Sequence, residues 1–147
     1  MTTDPRPSVG HRSDAEWFRT LAESAWFAVF VYRGNRFFYV NPATSLLTGY
    51  SQRELLRIGP EDVVHPDSRR RLPRLSPRSG LFPTVIEPLE VEIVRRDGTT
   101  RWLALTTGTV DFEGFTAGLG TAVDITSHKR TDGKSMWSAA ENPWSYA

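Results

Sequence analysis

The 147-residue chain contains no cysteine. Disulfides, thiolate metal sites, cysteine nucleophiles and cysteinyl cofactor linkages are therefore all excluded. It also lacks an excess of either charge, since 18 Lys and Arg face 17 Asp and Glu for a formal net charge of +1. Bulk electrostatics thus points away from a nucleic-acid partner. No long apolar run is present: the longest, Ala25–Tyr32, is far short of the roughly 20 residues a membrane-spanning helix needs. The opening "MTTDPRPSVGHRSD" has no apolar core of the kind a signal peptide carries. A cytoplasmic location is the expectation. With 39% hydrophobic and 12% aromatic residues, the chain can bury an ordinary single-domain core.

Residues 1–12, polar with two prolines and a glycine, read as a disordered lead-in. Ser13 or Asp14 can cap a helix running to about Ser24, with Trp17, Phe18, Leu21 and Ala22 at helical spacing. "WFAVFVYRGNRFFYV" then places two apolar-aromatic runs around Gly34-Asn35, a hairpin signal. In "NPATSLLTGYSQRELLRIGPEDVVHPDSRRRL" Pro42 suits a first helical turn and Gly49 stops it. Ser51 and Glu54 form a capping box for the next helix, and Gly59-Pro60 and His65-Pro66 punctuate further short pieces. Prolines 73, 77, 83 and 88, with Gly80, predict a loop over 73–88.

From residue 89 the period becomes two. "LEVEIVR", "RWLALTTGTVDF" and "FTAGLGTAVD" read as three antiparallel strands joined at Asp97-Gly98 and Glu113-Gly114. The expected architecture is α+β: a five-stranded antiparallel sheet, with short helices inserted between strands 2 and 3 and packed on one face, plus an N-terminal flanking helix.

"VNPATSLLTGYS", "VVHPDSR", "VRRDGTTRW" and "GTAVDIT" occur in an order and spacing that resembles the PAS domain family. The likeness spans about residues 13–130. It implies a domain over 13–130 and a polar, aromatic C-terminal tail over 131–147. The family usually has a longer helix where this chain carries its proline-rich stretch. The resemblance implies a non-catalytic sensory and dimerisation module of bacterial signal transduction, such as a two-component system. In that family the Asp-Ile-Thr end of the last strand couples the sheet to a following helix, here Asp124, Ile125 and Thr126. Either Asp124 or Thr126 can accept from the first free N–H groups of such a helix, and Gly133 comes early in its path.

A two-residue turn at Asp97-Gly98 pairs Arg96 with Thr99 and so Val91 with Ala104. The face expected to meet the helices then holds Trp102, Ala104, Thr106, Gly108, Val110, Ala117, Leu119, Thr121 and Val123. Ala104, Thr106, Gly108 and Thr121 are small, and are the candidate lining of a ligand cavity. The competing reading is that Trp102, phenylalanines and helical leucines fill that space. Leu103, Leu105, Gly118, Gly120 and Ala122 are assigned to the opposite, outer face, to be covered by the helix at 14–24 and a second copy of the chain as a homodimer.

No cofactor is named by the residues. Haem, flavin or a small metabolite in the cavity is the alternative function, with His65 as the candidate haem ligand beside its plainer role at a helix junction. His11 lies in the lead-in, and His128 lacks the surrounding helical pair a phosphoacceptor needs. Arg69, Arg70, Arg71, Arg74 and Arg78 form a basic cluster without interleaved aromatics, the pattern of a solvated face. No phosphate-cradling loop or nucleophile elbow is present, so no enzyme is expected; cofactor-free turnover would reveal one. A kinase, cyclase or regulator is the expected partner.

Overall fold

The computed structural model describes residues 16–76 and 78–132. The lead-in at 1–12 and the tail beyond 132 lie outside the described residues. Helix α1 covers residues 16–24. It is followed by β1 (Ala28–Tyr32), β2 (Phe37–Val40), α2 (Pro42–Thr48), α3 (Gln52–Leu55), α4 (Pro60–Val63), α5 (Pro66–Arg69), β3 (Val85–Val94), β4 (Thr100–Phe112), β5 (Phe115–Asp124) and α6 (Thr126–Asp132). The five strands form one sheet in the order β2-β1-β5-β4-β3, antiparallel throughout. No helix among the described residues is long and apolar enough to cross a membrane.

The helix punctuation follows the sequence signals. Asn41 caps α2, Pro42 occupies its first turn, and Gly49 ends it at φ 79°, a left-handed conformation that glycine adopts without strain. Ser51 and Glu54 make the reciprocal capping box of α3. The proline-rich stretch is not a loop to its end, because β3 begins at Val85. Its pairing with β4 jumps from Val85↔Thr107 to Leu89↔Leu105. Pro88, which has no N–H to donate, sits in that bulge on an edge strand, where its missing donor is tolerated. Farther along the same edge, His65 N donates to Glu92 O at 2.8 Å and Glu92 N to Ser68 Oγ at 2.9 Å, so the start of α5 covers the open strand.

One turn reverses the face assignment. The β4–β5 turn has two residues, with Glu113 and Gly114 both at positive φ, and its register is the expected one: Val110↔Ala117, Thr106↔Thr121, Ala104↔Val123. The β3–β4 turn has three. Arg95 N donates to Thr99 O, Gly98 adopts φ 90°, and Val94 pairs with Thr100. That extra residue moves β4 by one position against β3, which turns every side chain over. Val91 therefore pairs with Leu103 and Leu89 with Leu105. The helix-facing core contains Leu103, Leu105 and Ala122 together with Phe30, Phe37, Val91 and Ile93. Ala104, Thr106, Gly108 and Thr121 lie on the opposite face.

The glycines of β5 belong to that core as well. Phe30 pairs with Gly120 and Tyr32 with Gly118, and each ring lies over its glycine. A Cβ built on Gly120 would come within 2.2 Å of Phe30 Cζ, and one on Gly118 within 2.1 Å of Tyr32 Cζ. These positions are open to the protein's own rings, not to a second subunit. On the outer face α1 buries Phe18 and Ala22 against Val29, Val31, Tyr39, Phe112 and Ala117. Arg19 fixes it through a 3.0 Å pair with Glu113, and the Tyr39 hydroxyl donates to Glu23 Oε2 at 2.5 Å.

Gly120→Ala should lower unfolding stability by roughly 1–3 kcal/mol, the usual cost of overpacking. A Cβ at Gly108 meets nothing within 4 Å. Gly108→Ala should leave stability unchanged or raise it by up to about 1 kcal/mol, so urea denaturation of the pair tests which face each residue occupies.

Candidate functional site

Three features could carry function: a cavity between helices and sheet, a trough on the outer face, and the junction where β5 hands over to α6.

The cavity encloses about 60 Å³ between Phe30, Phe37, Leu47, Val63, Phe82 and Leu105. None of its lining residues is titratable. The hydroxyls on its wall are already engaged: Thr48 donates to Thr44 O at 2.8 Å, Thr107 to Pro83 O at 2.7 Å, and Thr44 lies 2.7 Å from Asn41 Oδ1. Phe82, from the proline-rich stretch expected to be a loop, closes one side. Its N–H donates to the Tyr32 hydroxyl at 2.9 Å. Burial raises the Tyr32 pKa, with the Phe82 hydrogen bond acting in the opposite direction. The apolar pair Leu81-Phe82 inside an Arg- and Pro-rich stretch is the sequence signal for this plug.

The space does not fit haem or flavin, because pockets for ligands of that class hold roughly 300–1,000 Å³. His65 is also committed elsewhere. It caps α5, its Nδ1 accepting from Asp67 N at 3.1 Å, and it is not among the lining residues. Among the described residues no group of three His, Asp or Glu side chains could hold a metal ion.

Ala104, Thr106, Gly108 and Thr121, expected to line the cavity, are brought together, but as the floor of the outer trough. The trough holds about 460 Å³ and is rimmed by Ile86 and Pro88 of the β3 bulge. Thr106 and Thr121 are hydrogen-bonded to each other at 2.6 Å across β4 and β5.

At the junction, Asp124 Oδ1 accepts from both Thr126 N (2.9 Å) and the Thr126 hydroxyl (2.6 Å). The Thr126 oxygen in turn accepts from Trp102 N at 2.8 Å, and Ile125 N donates to Trp102 O at 2.8 Å. One turn later Lys129 Nζ meets Glu90 Oε1 at 2.9 Å and lies 4.5 Å from the Trp102 ring centre. Arg71 approaches the same ring at 5.6 Å. The first turn of α6 is thus tied to β5, β4 and β3 together. Sequence reasoning found Asp124 and Thr126 but missed Glu90 and Lys129, which lie 39 positions apart.

From α1 to the end of β5, residues 16–124, the chain is matched by a sequence model described as the PAS fold. The chain belongs to the PAS family. Among solved PAS structures, that of an HTR-like protein from Haloarcula marismortui is similar at 20% identity and TM-score 0.59, covering 83% of this chain and all of that one. A sensory box histidine kinase/response regulator from Burkholderia thailandensis shares 22% identity at TM-score 0.54 over 79% of this chain and 89% of its own. The PAS domain of nitrogen regulation protein NR(II) from Vibrio parahaemolyticus shares 15% identity at TM-score 0.51, over 73% and 96%. No curated protein matched by sequence. At these identities the solved structures speak for the PAS fold alone.

Titration of the purified PAS domain with FMN or haemin should leave the cofactor's visible spectrum that of the free molecule. A stoichiometric, shifted spectrum would mean that the cavity opens far beyond its closed volume.

Proposed function

We propose that this PAS domain is a non-catalytic sensory module that acts as a homodimer and relays a change in its sheet and helix layer to α6. Its expected place is the cytoplasm, beside a kinase, cyclase or regulator partner. The observation that carries the reading is the junction. Asp124 and Thr126 tie the start of α6 to the backbone of Trp102, and Glu90 holds Lys129 from β3. A shift of β3 or β4 therefore moves the anchors of the helix directly. The Lys129–Glu90 pair is well shielded, with the two side chains 17% and 11% exposed. Removing one partner leaves a largely desolvated charge behind, which makes the contact sensitive to small displacements.

The absence of titratable groups from the cavity lining supports a role without acid, base or charged nucleophile there. What a cavity of this size and polarity favours is a small apolar molecule, or a packing change alone.

Hydrogen exchange tests the relay. Loss of a helix cap costs about 0.5–2 kcal/mol, so Asp124→Ala should speed amide exchange in residues 127–132 about 2- to 30-fold while β1 and β5 keep their protection. Lys129→Met should produce the same pattern. Unchanged exchange in both variants would detach α6 from the sheet and remove the basis for the relay.

A further inference from the structure

The Arg-rich stretch does not form one surface. Arg69 Nε donates to Val64 O at 3.3 Å and Arg71 lies on Trp102, both toward the α6 end of the sheet. Arg78 is carried to the other end, where its segment docks on the β1–β2 turn. There Gly34 N donates to Gly80 O at 2.6 Å and Arg33 Nε to Ser79 O at 3.2 Å. The β4–β5 turn lies at this end too, roughly 30 Å from α6 along the length of β5. Arg33 sits 5.7 Å from the Phe115 ring centre and Arg36 5.2 Å from that of Phe38, and the two rings meet edge-on at 5.3 Å. Arg33, Arg36 and Arg78 are exposed, and both rings are half-buried.

A guanidinium stacked on a ring uses its face in the contact, so its N–H donors stay in the plane around its rim. Arg33 has one of them on Ser79 O, and none of Arg33, Arg36 and Arg78 makes an ion pair among the described residues. The neighbouring acids do not neutralise them: Glu113 pairs with Arg19, and Asp62 Oδ2 accepts from Asn35 Nδ2 and Gly59 N. From this arrangement we infer that the turn end of the sheet binds an acidic peptide segment of a partner protein. Its carboxylates take the planar forks of Arg33 and Arg36, with Arg78 beside them, and an apolar side chain lies on Phe38 and Phe115. Stacking holds the two guanidiniums in place before the partner arrives, which lowers the ordering cost of binding. The positive charge is local, since the whole chain carries only +1. Such a patch suits a short anionic segment, whereas a long polyanion would also meet the acids around it. The inference adds the chemistry of one contact to the expected signalling partner and depends on neither the relay nor the homodimer. The Arg78 segment continues into Phe82, whose N–H is held by Tyr32 next to Arg33, so a partner fastened here sits beside the wall of the cavity.

Fluorescence anisotropy with a fluorescein-labelled peptide, glutamates flanking a central phenylalanine, tests this directly. At low salt the peptide should bind with a Kd of about 100 μM or tighter, and its glutamine counterpart should not bind. Arg33→Ala and Arg36→Ala should each raise the Kd about 10-fold, as for loss of a hydrogen-bonded charge. Arg36→Lys, which keeps the charge without the planar fork, should still raise it about 3-fold. Arg70→Ala, an exposed arginine at the α6 end, should leave it unchanged, and all four variants should keep the wild-type circular dichroism. Amide NMR shifts on binding should concentrate in residues 33–38, 78–80 and 115. Absence of saturable binding, an equal loss in Arg70→Ala, or shifts centred elsewhere would overturn the site. A single-stranded RNA oligomer or a phosphatidylserine vesicle that binds more tightly than the peptide through Arg33 and Arg36 would overturn the peptide as occupant.

Discussion

The buried amide of Asn41 is the interaction on which the remaining structure hangs. Its oxygen accepts from Val29 N, Thr44 N and, at 2.7 Å, the Thr44 hydroxyl; its nitrogen donates to Ala22 O and Phe27 O. One side chain thereby joins the end of α1, the start of β1 and the first turn of α2. The two helices lie on opposite sides of the sheet to which β1 belongs. The amide must present an acceptor on one side and two donors on the other, which neither Asp nor Leu can do, and each buried partner left unmet costs roughly 1–3 kcal/mol. The position of α1 on the outer face and of the short helices on the inner face is set from this one point.

A second constraint is the three-residue β3–β4 turn. Asp97 Oδ1 accepts from Thr99 N and the Thr99 hydroxyl, and Gly98 takes the left-handed conformation that closes the loop. The count of residues in that turn selects which half of β4 enters the core. With three, Leu103, Leu105 and Thr107 meet the helices, and the small residues between them face outward. Phe30 and Tyr32 can then lie over Gly120 and Gly118, filling the inner layer with rings and leaving a cavity of only about 60 Å³.

These two constraints together shape what the PAS domain can do. A tight apolar interior with its hydroxyls engaged is poorly suited to large cofactors, but it transmits strain, because close-packed side chains cannot yield independently. The same sheet that forms the cavity floor carries the anchors of α6 at its β3–β4–β5 end. Trp102 connects them: its backbone holds Ile125 and Thr126, and its ring receives Lys129 and Arg71. Arg71 follows α5, so the helix layer and α6 meet at a single aromatic ring around the β3 edge.

The sequence by itself determined the elements and their order. Asn41-Pro42, Gly49, Ser51 with Glu54, and Glu113-Gly114 are local signals, each satisfied within a few residues of its own position, and such signals can be read without knowing what lies across the domain. Period-two alternation likewise identified β4 and β5 and grouped Ala104, Thr106, Gly108 and Thr121 on one face. Which face that was lay beyond it. Asp97-Gly98 is compatible with a two- or a three-residue turn, and the choice is made by Phe30, Tyr32, Val91 and Leu103 competing for the same interior. The Phe82 plug, the β3 bulge at Pro88 and the Glu90–Lys129 pair were equally out of reach, because each joins residues far apart in the chain. Their energy comes from excluding water between elements, a quantity that exists only once the sheet has closed against its helices.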